Sequence, residues 1–171
     1  YQLDQKQWVN KTPYPPLATI TALSHLETNG FPADFYDVAL DASPSICQEK
    51  MDASSPDVVV IYEDGFNYLT KMCLTNMRHA CFDIIAKAKQ KGATVVLSSS
   101  DSTDHWKLYH EKGADVIIHG EGEHSLLEVI QKLEAVEDLS TVNGISTISN
   151  SEPIKHAPRT NERDLDVFAQ A

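Results

Sequence analysis

The amino-acid sequence predicts an α/β fold: a Rossmann-like, flavodoxin-like doubly wound parallel sheet in three αβα layers, with a C-terminal β-hairpin. Short β-branched runs alternate with longer segments of helical period, and the clearest run extends from Val58 to Tyr62. This alternation is typical of parallel βαβ units with right-handed crossovers. A continuous apolar run predicts a strand covered on both faces, so we expect this strand to be central. Beyond residue 144, apolar residues alternate around a polar turn, which indicates the hairpin.

The domain organisation follows from where these patterns begin and end. Residues 1–12 are polar and predict an irregular lead-in. The α/β domain is expected over residues 13–139 and the hairpin over residues 140–158. The polar residues 159–171 are interpreted as a linker to a downstream domain.

The first half of the α/β domain contains two predicted helices and a predicted strand. Apolar residues recur at helical spacing over residues 17–30, after a proline-rich bend, and Asn29-Gly30 ends that helix. Aromatic and aliphatic residues within 31–40 predict a strand. Residues 41–55 predict a short amphipathic helix that begins at an Asp or Ser cap.

The second half alternates helices with short apolar strands. Residues 69–91 predict a long helix, because their apolar side chains recur at three and four residues. Residues 93–97 predict a buried strand, residues 104–112 a short helix and residues 113–118 the last parallel strand. A helix is expected to follow that strand from Ser125.

Composition limits the classes of function. With 171 residues, 42% of them hydrophobic, the chain is large enough for one core. The formal net charge of -11 disfavours nucleic acid as a partner, because phosphate backbones bind clustered cations. No apolar run reaches the roughly 18 residues needed to span a membrane, so no membrane partner is expected. The three cysteines are odd in number and favour a reducing, cytoplasmic location over a disulfide framework.

Polar loops follow the predicted parallel strands at residues 63–68, 98–103 and 119–123. Because open α/β sheets bind ligands at the carboxyl ends of their strands, these loops are expected to line a ligand site. The serines of the second loop offer hydroxyls without large side chains, which suits a wall for a flat ligand. A plain surface turn is the alternative interpretation of those serines.

The turn Gly120-Glu121-Gly122-Glu123 precedes a predicted helix, where backbone N–H groups attract anions. Its two carboxylates would repel a phosphate, and as acceptors they suit a ligand that offers N–H or O–H donors. Simple capping of the helix by Glu123 is the alternative. As a dinucleotide fingerprint the segment fails, since Ser125 stands at the third glycine position.

Metal and nucleophilic sites are not predicted. The histidine pairs 105/110 and 119/124 are five residues apart, which does not place two imidazoles on one helical face. The cysteines belong to apolar patterns and lack the close spacing of an iron–sulfur cluster. No Gly-x-Ser-x-Gly elbow occurs in the sequence.

Several short segments carry a resemblance to a known family: Pro13-Tyr14-Pro15-Pro16-Leu17, Pro56-Asp57-Val58-Val59-Val60-Ile61, Gly113-Ala114-Asp115 with Gly120-Glu121-Gly122-Glu123, and Arg163-Asp164-Leu165-Asp166. Together they resemble the cobalamin-binding domain that precedes the radical S-adenosylmethionine domain in many bacterial enzymes. The resemblance covers nearly the whole chain from about Pro13. It implies a Rossmann-like sheet whose carboxyl edge carries the corrin ring, with the family's first strand upstream of Tyr1.

The resemblance implies a cobalamin-binding module of an enzyme that transfers methyl groups or performs related radical chemistry. This part would not be catalytic alone, and S-adenosylmethionine and a [4Fe-4S] cluster would bind to the downstream radical domain of the same polypeptide. The sequence lacks an Asp-x-His-x-x-Gly motif, so a cobalt-ligating histidine is not expected. The implied cobalamin contacts are Tyr62, Glu63, Asp64, Asn67, Tyr68, Ser98, Ser99, Ser100, Asp101, Thr103, His119, Gly120, Glu121, Gly122 and Glu123.

Two alternatives belong to other classes. The domain could keep the fold without the cofactor and serve a docking or structural role. A signalling receiver domain has similar topology, but it needs a phosphoacceptor Asp at the end of the central strand and a Lys after the last one. The sequence has Tyr62-Glu63-Asp64 and His119-Gly120-Glu121 at those places, which disfavours a receiver.

Overall fold

A computed structural model of the chain describes Val9 and residues 15–40, 45–63, 74–164 and 167–168. Its elements, in chain order, are α1 (Leu17–Thr28), a 3-10 turn (Val38–Leu40), α2 (Ser45–Ser54), β1 (Val58–Tyr62), α3 (Leu74–Gln90), β2 (Thr94–Ser98), α4 (Ser100–Asp104), α5 (Trp106–Glu111), β3 (Val116–Ile118), α6 (Glu123–Glu134), β4 (Ile145–Ser149) and β5 (Glu152–Lys155). Across these described ranges, every helix is too short or too polar to cross a membrane.

The strands form one five-stranded mixed sheet in the order β1-β2-β3-β4-β5. Strands β1, β2 and β3 are parallel, and β4 and β5 continue the sheet as an antiparallel hairpin on the β3 side. The predicted α/β fold with a C-terminal hairpin is therefore confirmed. Among the described strands β1 pairs only with β2, so it lies at an edge of the described sheet rather than at its centre.

Helices cover the sheet on both faces, because successive side chains of a buried strand point to opposite sides. Val95 and Leu97 of β2 pack with Ile85 and other residues of α3 on one face, which α2 and α5 also cover. Val96, between them, packs on the other face against α1 and α6, where Leu126 is 1% exposed. This three-layer arrangement explains why the parallel strands read as continuous apolar runs.

The hairpin is closed by a two-residue turn, Asn150-Ser151, between paired residues Ser149 and Glu152. Both turn residues have positive φ, 51° and 66°, which is the backbone of a type I′ turn. That turn matches the right-handed twist of the strands it joins, so it fixes the register of β4 on β5.

The strand predicted within residues 31–40 is not formed. The described backbone is irregular there and ends in the 3-10 turn at Val38–Leu40. Tyr36 and Val38 pack against the core under α2 and α3, so their apolar side chains are buried without a strand. A strand needs a neighbour to pair with, and no described strand lies beside this segment.

Candidate functional site

An open crevice lies at the carboxyl ends of β1, β2 and β3, with a cavity volume of about 430 Å³. Open α/β sheets bind their ligands at this position, outside the carboxyl ends of the strands. The crevice is lined by Ala18, Tyr62, Glu63, Ser98, Ser99, Ser100, Thr103, Asp104, Gly120, Glu121, Gly122 and Glu123. The structure thus brings together residues from the three loops that the sequence singled out.

The charged side chains that line the described crevice are all acidic. Its lining includes the carboxylates of Glu63, Asp104, Glu121 and Glu123, and no Lys or Arg belongs to the described lining. Sequence reasoning missed Asp104 and Ala18. Asp104 is the first residue of the helix predicted over residues 104–112, and Ala18 reaches the crevice only because α1 packs beside β1. No local sequence pattern signals either residue.

Tyr62 and Glu123 join the end of β1 to the start of α6. The Tyr62 hydroxyl hydrogen-bonds with Glu123. The pKa of Tyr62 is raised above its usual range, first by burial and then by the charge of Glu123 and this hydrogen bond. A Cβ on Gly122 would overlap the same hydroxyl. Gly122 therefore makes room for Tyr62.

Gly120 has the opposite environment. Its φ is +80°, a conformation that favours glycine, and an added Cβ would meet nothing within 4 Å. The backbone turn needs this glycine, and the space beside it belongs to the crevice.

The predicted loop over residues 98–103 is mostly the first turn of a helix. Ser99 and Ser102 form a capping box: the Ser99 hydroxyl accepts a hydrogen bond from the Ser102 N–H at 2.9 Å, and the Ser102 hydroxyl accepts from the Ser99 N–H at 3.1 Å. The Glu63 carboxylate accepts from the Ser100 N–H at 3.2 Å and so links the first loop to the second. The single helix predicted over 104–112 is two short helices, α4 and α5.

Asp101 does not line the crevice. Its carboxylate lies under α4, where Arg78 donates two hydrogen bonds at 2.5 and 2.7 Å and the Tyr109 hydroxyl donates a third at 2.6 Å. Burial alone would raise the pKa of Asp101, but these hydrogen bonds and the charge of Arg78 lower it. The implied contacts Asp64, Asn67 and Tyr68 lie outside the described residues.

Glu121 contacts the C-terminal segment. Its carboxylate accepts a hydrogen bond from the Glu162 N–H at 3.0 Å, and the Glu162 carboxylate lies 3.5 Å from His124 Nε2 at the start of α6. Phe168 packs on His124 with ring centroids 4.8 Å apart. A small cavity of about 20 Å³ separates this segment from the turn. No local sequence pattern predicts these contacts, because they join residues about forty positions apart.

His119, the residue before Gly120, contacts the hairpin instead of the crevice. Its Nε2 lies 3.0 Å from the hydroxyl of Ser146 on β4. Burial first, then the charges of Lys155 and His110, lowers its pKa to about 4. The imidazole is therefore neutral at physiological pH.

The described residues contain no group of three or more His, Cys, Asp or Glu side chains that could hold a metal ion. Cys47 is buried in the core on the α3 face, and Cys81 packs against the same core. Cys73 lies outside the described ranges.

Solved structures with the same fold are large enzymes. The radical S-adenosylmethionine methyltransferase TsrM from Kitasatospora setae, with cobalamin and [4Fe-4S] cluster bound, aligns with a TM-score of 0.68 at 20% identity over 93% of this chain and 29% of TsrM. The same enzyme with tryptophan substrate and a SAM analog bound aligns over 86% of this chain and 28% of TsrM, again at 0.68 and 20%.

The cobalamin-dependent S-adenosylmethionine radical enzyme OxsB, with aqua-cobalamin and S-adenosylmethionine bound, aligns with a TM-score of 0.67 at 20% identity, over 90% of this chain and 21% of OxsB. No protein-family model and no curated protein matches the sequence. At this identity the likeness shows the shared fold, and the chain spans less than a third of either enzyme.

Proposed function

We propose that this chain is a cobalamin-binding module of a radical S-adenosylmethionine enzyme that transfers methyl groups or performs related radical chemistry. The observation that carries the proposal is the crevice at the carboxyl edge, which is lined by carboxylates and serine hydroxyls without a described Lys or Arg. Such a lining accepts hydrogen bonds and repels anions. It suits a ligand whose rim offers N–H donors.

The described residues fit the corrin part of cobalamin. The crevice is open and broad, and its volume of about 430 Å³ lies within the usual range for cofactor sites. Amide groups surround a corrin ring, and Glu63, Asp104 and Glu121 would accept their hydrogen bonds. Gly120 leaves the floor of the crevice clear of side chains. Bound cobalamin would supply the carrier for the transferred group, and the protein would orient it and limit its contact with water.

The cobalt would lack a histidine from an Asp-x-His-x-x-Gly motif, which the sequence does not contain. The two histidines at this edge have other contacts: His119 with Ser146, and His124 with Glu162 and Phe168. S-adenosylmethionine and a [4Fe-4S] cluster would be held by a downstream domain of the same polypeptide. The reduced cysteines of the core are consistent with a cytoplasmic enzyme.

The test is retention of cobalamin. The chain is mixed with hydroxocobalamin, free ligand is removed, and the visible spectrum of the protein fraction is recorded. Flavin mononucleotide serves as the contrasting ligand, because its terminal phosphate monoester is mostly dianionic and it has no rim of amide groups. We expect corrin absorbance to stay with the protein and flavin absorbance to be lost. Loss of both from a protein whose circular dichroism shows a folded domain would contradict the proposal.

A matched pair of variants tests the crevice itself. Asp104→Lys reverses a charge in the crevice, and Glu134→Lys makes the same change at the far end of α6, where the side chain is exposed. Losing one charge-assisted hydrogen bond and adding a cation should weaken cobalamin binding by about tenfold in the first variant only. Equal affinities in the two variants would place the ligand elsewhere.

One observation favours the docking or structural alternative. Several polar groups of the edge already satisfy one another, since Tyr62 pairs with Glu123, Ser99 with Ser102, and Glu121 with Glu162. An edge saturated in this way would bind no cofactor. The same spectroscopic experiment separates the two functions, because a docking domain would stay folded and colourless.

A further inference from the structure

A buried chain of hydrogen bonds runs from the Ala114 carbonyl, just before β3, through His110 and Ser146 to His119. His110 Nδ1 lies 2.7 Å from the Ala114 carbonyl oxygen, and His110 Nε2 lies 2.9 Å from the Ser146 hydroxyl. That hydroxyl is also 3.0 Å from His119 Nε2. Ser146 is fully buried and His110 is 6% exposed, so water does not compete for these bonds.

The positions of the protons follow from the acceptor at one end. A carbonyl oxygen can only accept, so His110 Nδ1 carries a hydrogen. A neutral His110 then has an unprotonated Nε2, which must accept from the Ser146 hydroxyl. Ser146 has only that one hydrogen to give, so its oxygen accepts from His119, and the hydrogen of His119 is on Nε2. His119 Nδ1 is left with a bare lone pair.

The reverse arrangement needs a charged histidine. If Ser146 donated to His119, both nitrogens of His110 would have to donate, and His110 would be an imidazolium. Burial lowers the pKa of His110, which opposes that state. The neutral arrangement therefore holds at physiological pH.

His119 Nδ1 is buried and has no hydrogen-bond partner among the described residues. Leaving a buried acceptor without a donor is destabilising, so such an atom in a protein requires an explanation. Trp106 stands edge-on to both His110 and His119, with its ring centroid 6.1 and 6.3 Å from theirs.

We propose that Ser146 and His110 are positioning residues that hold His119 in its neutral Nε2–H tautomer, so that Nδ1 remains an acceptor for one N–H or O–H donor of a ligand group that enters the small cavity lined by His119, Glu121 and Glu123. The identity of that ligand, a cobalamin amide, rests on the proposed function. The assignment of the tautomer rests on the hydrogen-bond geometry and on the burial of His110, which favours a neutral imidazole there. Neighbours with charge or a titratable group are His110 and Lys155 on the hairpin side, and Glu121, Glu123, His124, Arg159 and Glu162 around the small cavity.

The tautomer can be measured directly. In the full chain labelled with ¹⁵N-histidine, long-range ¹H–¹⁵N correlation spectra at neutral pH distinguish protonated from bare ring nitrogens, and the signals missing from His119→Gln assign this residue. We expect His119 to show a protonated Nε2 and a bare Nδ1. A protonated Nδ1 in the unmodified protein would overturn the inference without any variant having to fold.

Two buried serines provide the variant and its control. Ser146→Ala removes the bridge, and we expect His119 to become a mixture of both tautomers. Ser125→Ala removes an equally buried hydroxyl, which bonds to Asn143 and Arg159 and touches neither histidine; its His119 signals should keep the pattern of the unmodified protein. Ser146→Thr, which retains a hydroxyl, should restore the single tautomer. Unchanged His119 signals in Ser146→Ala would contradict the role of Ser146 in holding His119 in one tautomer.

Addition of hydroxocobalamin tests the acceptor role. A donor bound to His119 should shift its Nδ1 resonance toward the protonated range by a measurable amount while the Nε2 signal stays protonated. Cobalamin that binds without moving this resonance would overturn the acceptor role and leave the proposed function standing. Failure of cobalamin to bind at all would contradict both the proposed function and the role of a cobalamin amide as the donor to His119. The spectrum of the free protein would still show whether His119 is held in the Nε2–H tautomer.

Discussion

Arg78 of α3 and Asp101 of α4 form a two-point ion pair, with Arg78 Nη2 2.5 Å from Asp101 Oδ1 and Nε 2.7 Å from Oδ2. The Asp101 side chain is 7% exposed and that of Arg78 is 22% exposed. The pair anchors α4 beside the crevice, so the positions of Ser99 and Ser100 depend on a contact that does not itself line the crevice.

Replacing Asp101 with Asn should therefore destabilise the protein. It leaves the Arg78 charge partly buried without its partner, which costs about 2 to 3 kcal/mol in the free energy of unfolding. Urea denaturation measures this cost. The control is Asp52→Asn, which breaks the exposed ion pair with Lys91 and should cost less than about 1 kcal/mol. Equal losses in both variants would contradict the anchoring role.

The stability should also depend on pH through His119. Its folded pKa of about 4 lies below the ordinary histidine value of 6.5, so the unfolded chain binds the proton more tightly. Stability is then lost as the pH falls from about 6.5 to 4, by an order of 1 to 2 kcal/mol once partial solvent screening is allowed for. His119→Gln should flatten this part of the profile. An unchanged slope in urea titrations of the variant would contradict the assignment.

The two glycines of the turn at residues 120–123 should respond differently to replacement by Ala. Gly122→Ala places a methyl group against the Tyr62 hydroxyl and should cost about 1 to 3 kcal/mol. Gly120→Ala meets no neighbour but strains a backbone with positive φ, at a cost of about 1 kcal/mol. Tyr62→Phe should partly rescue the first variant and not the second. Thermal unfolding of the two double mutants measures this, and equal rescue would contradict the steric explanation.

Removal of the Glu121 side chain should loosen the C-terminal segment alone. In Glu121→Ala the Glu162 N–H loses its acceptor, so its hydrogen exchange should become about tenfold faster. Global stability should change by less than about 0.5 kcal/mol, as is usual for an exposed substitution. Glu152→Ala, on the exposed edge strand, is the control. Unchanged exchange at Glu162 would show that the segment docks without this contact.

Much of the fold was predictable because its elements follow local periods. The β-branched run ending at Tyr62, the three- and four-residue spacing of α3 and the alternation in the hairpin all read directly from sequence. The segment 31–40 failed because strand formation depends on a neighbour, and no described strand supplies one. The predicted central position of β1 was wrong within the described sheet, because a continuous apolar run looks the same in a central strand and in a strand at the edge.

The site was predictable in its place and less so in its details. The sequence indicated three loops at one edge, and most of their residues do line the crevice. It could not show that the Asp101 side chain lies against Arg78 instead of lining the crevice, or that Gly122 leaves space for the Tyr62 hydroxyl. Those outcomes depend on side-chain contacts between distant segments, which leave no local pattern.

The hairpin also determines how the sheet ends. The His156 N–H donates to the Ile145 carbonyl at 2.9 Å, so the alternation of an antiparallel ladder directs the backbone nitrogen of Pro153 away from β4. Proline has no N–H to offer there, and a further strand would find a gap in the row of donors it needs. The outer edge of β5 is thereby protected against pairing with another chain, which should limit aggregation through this side of the protein.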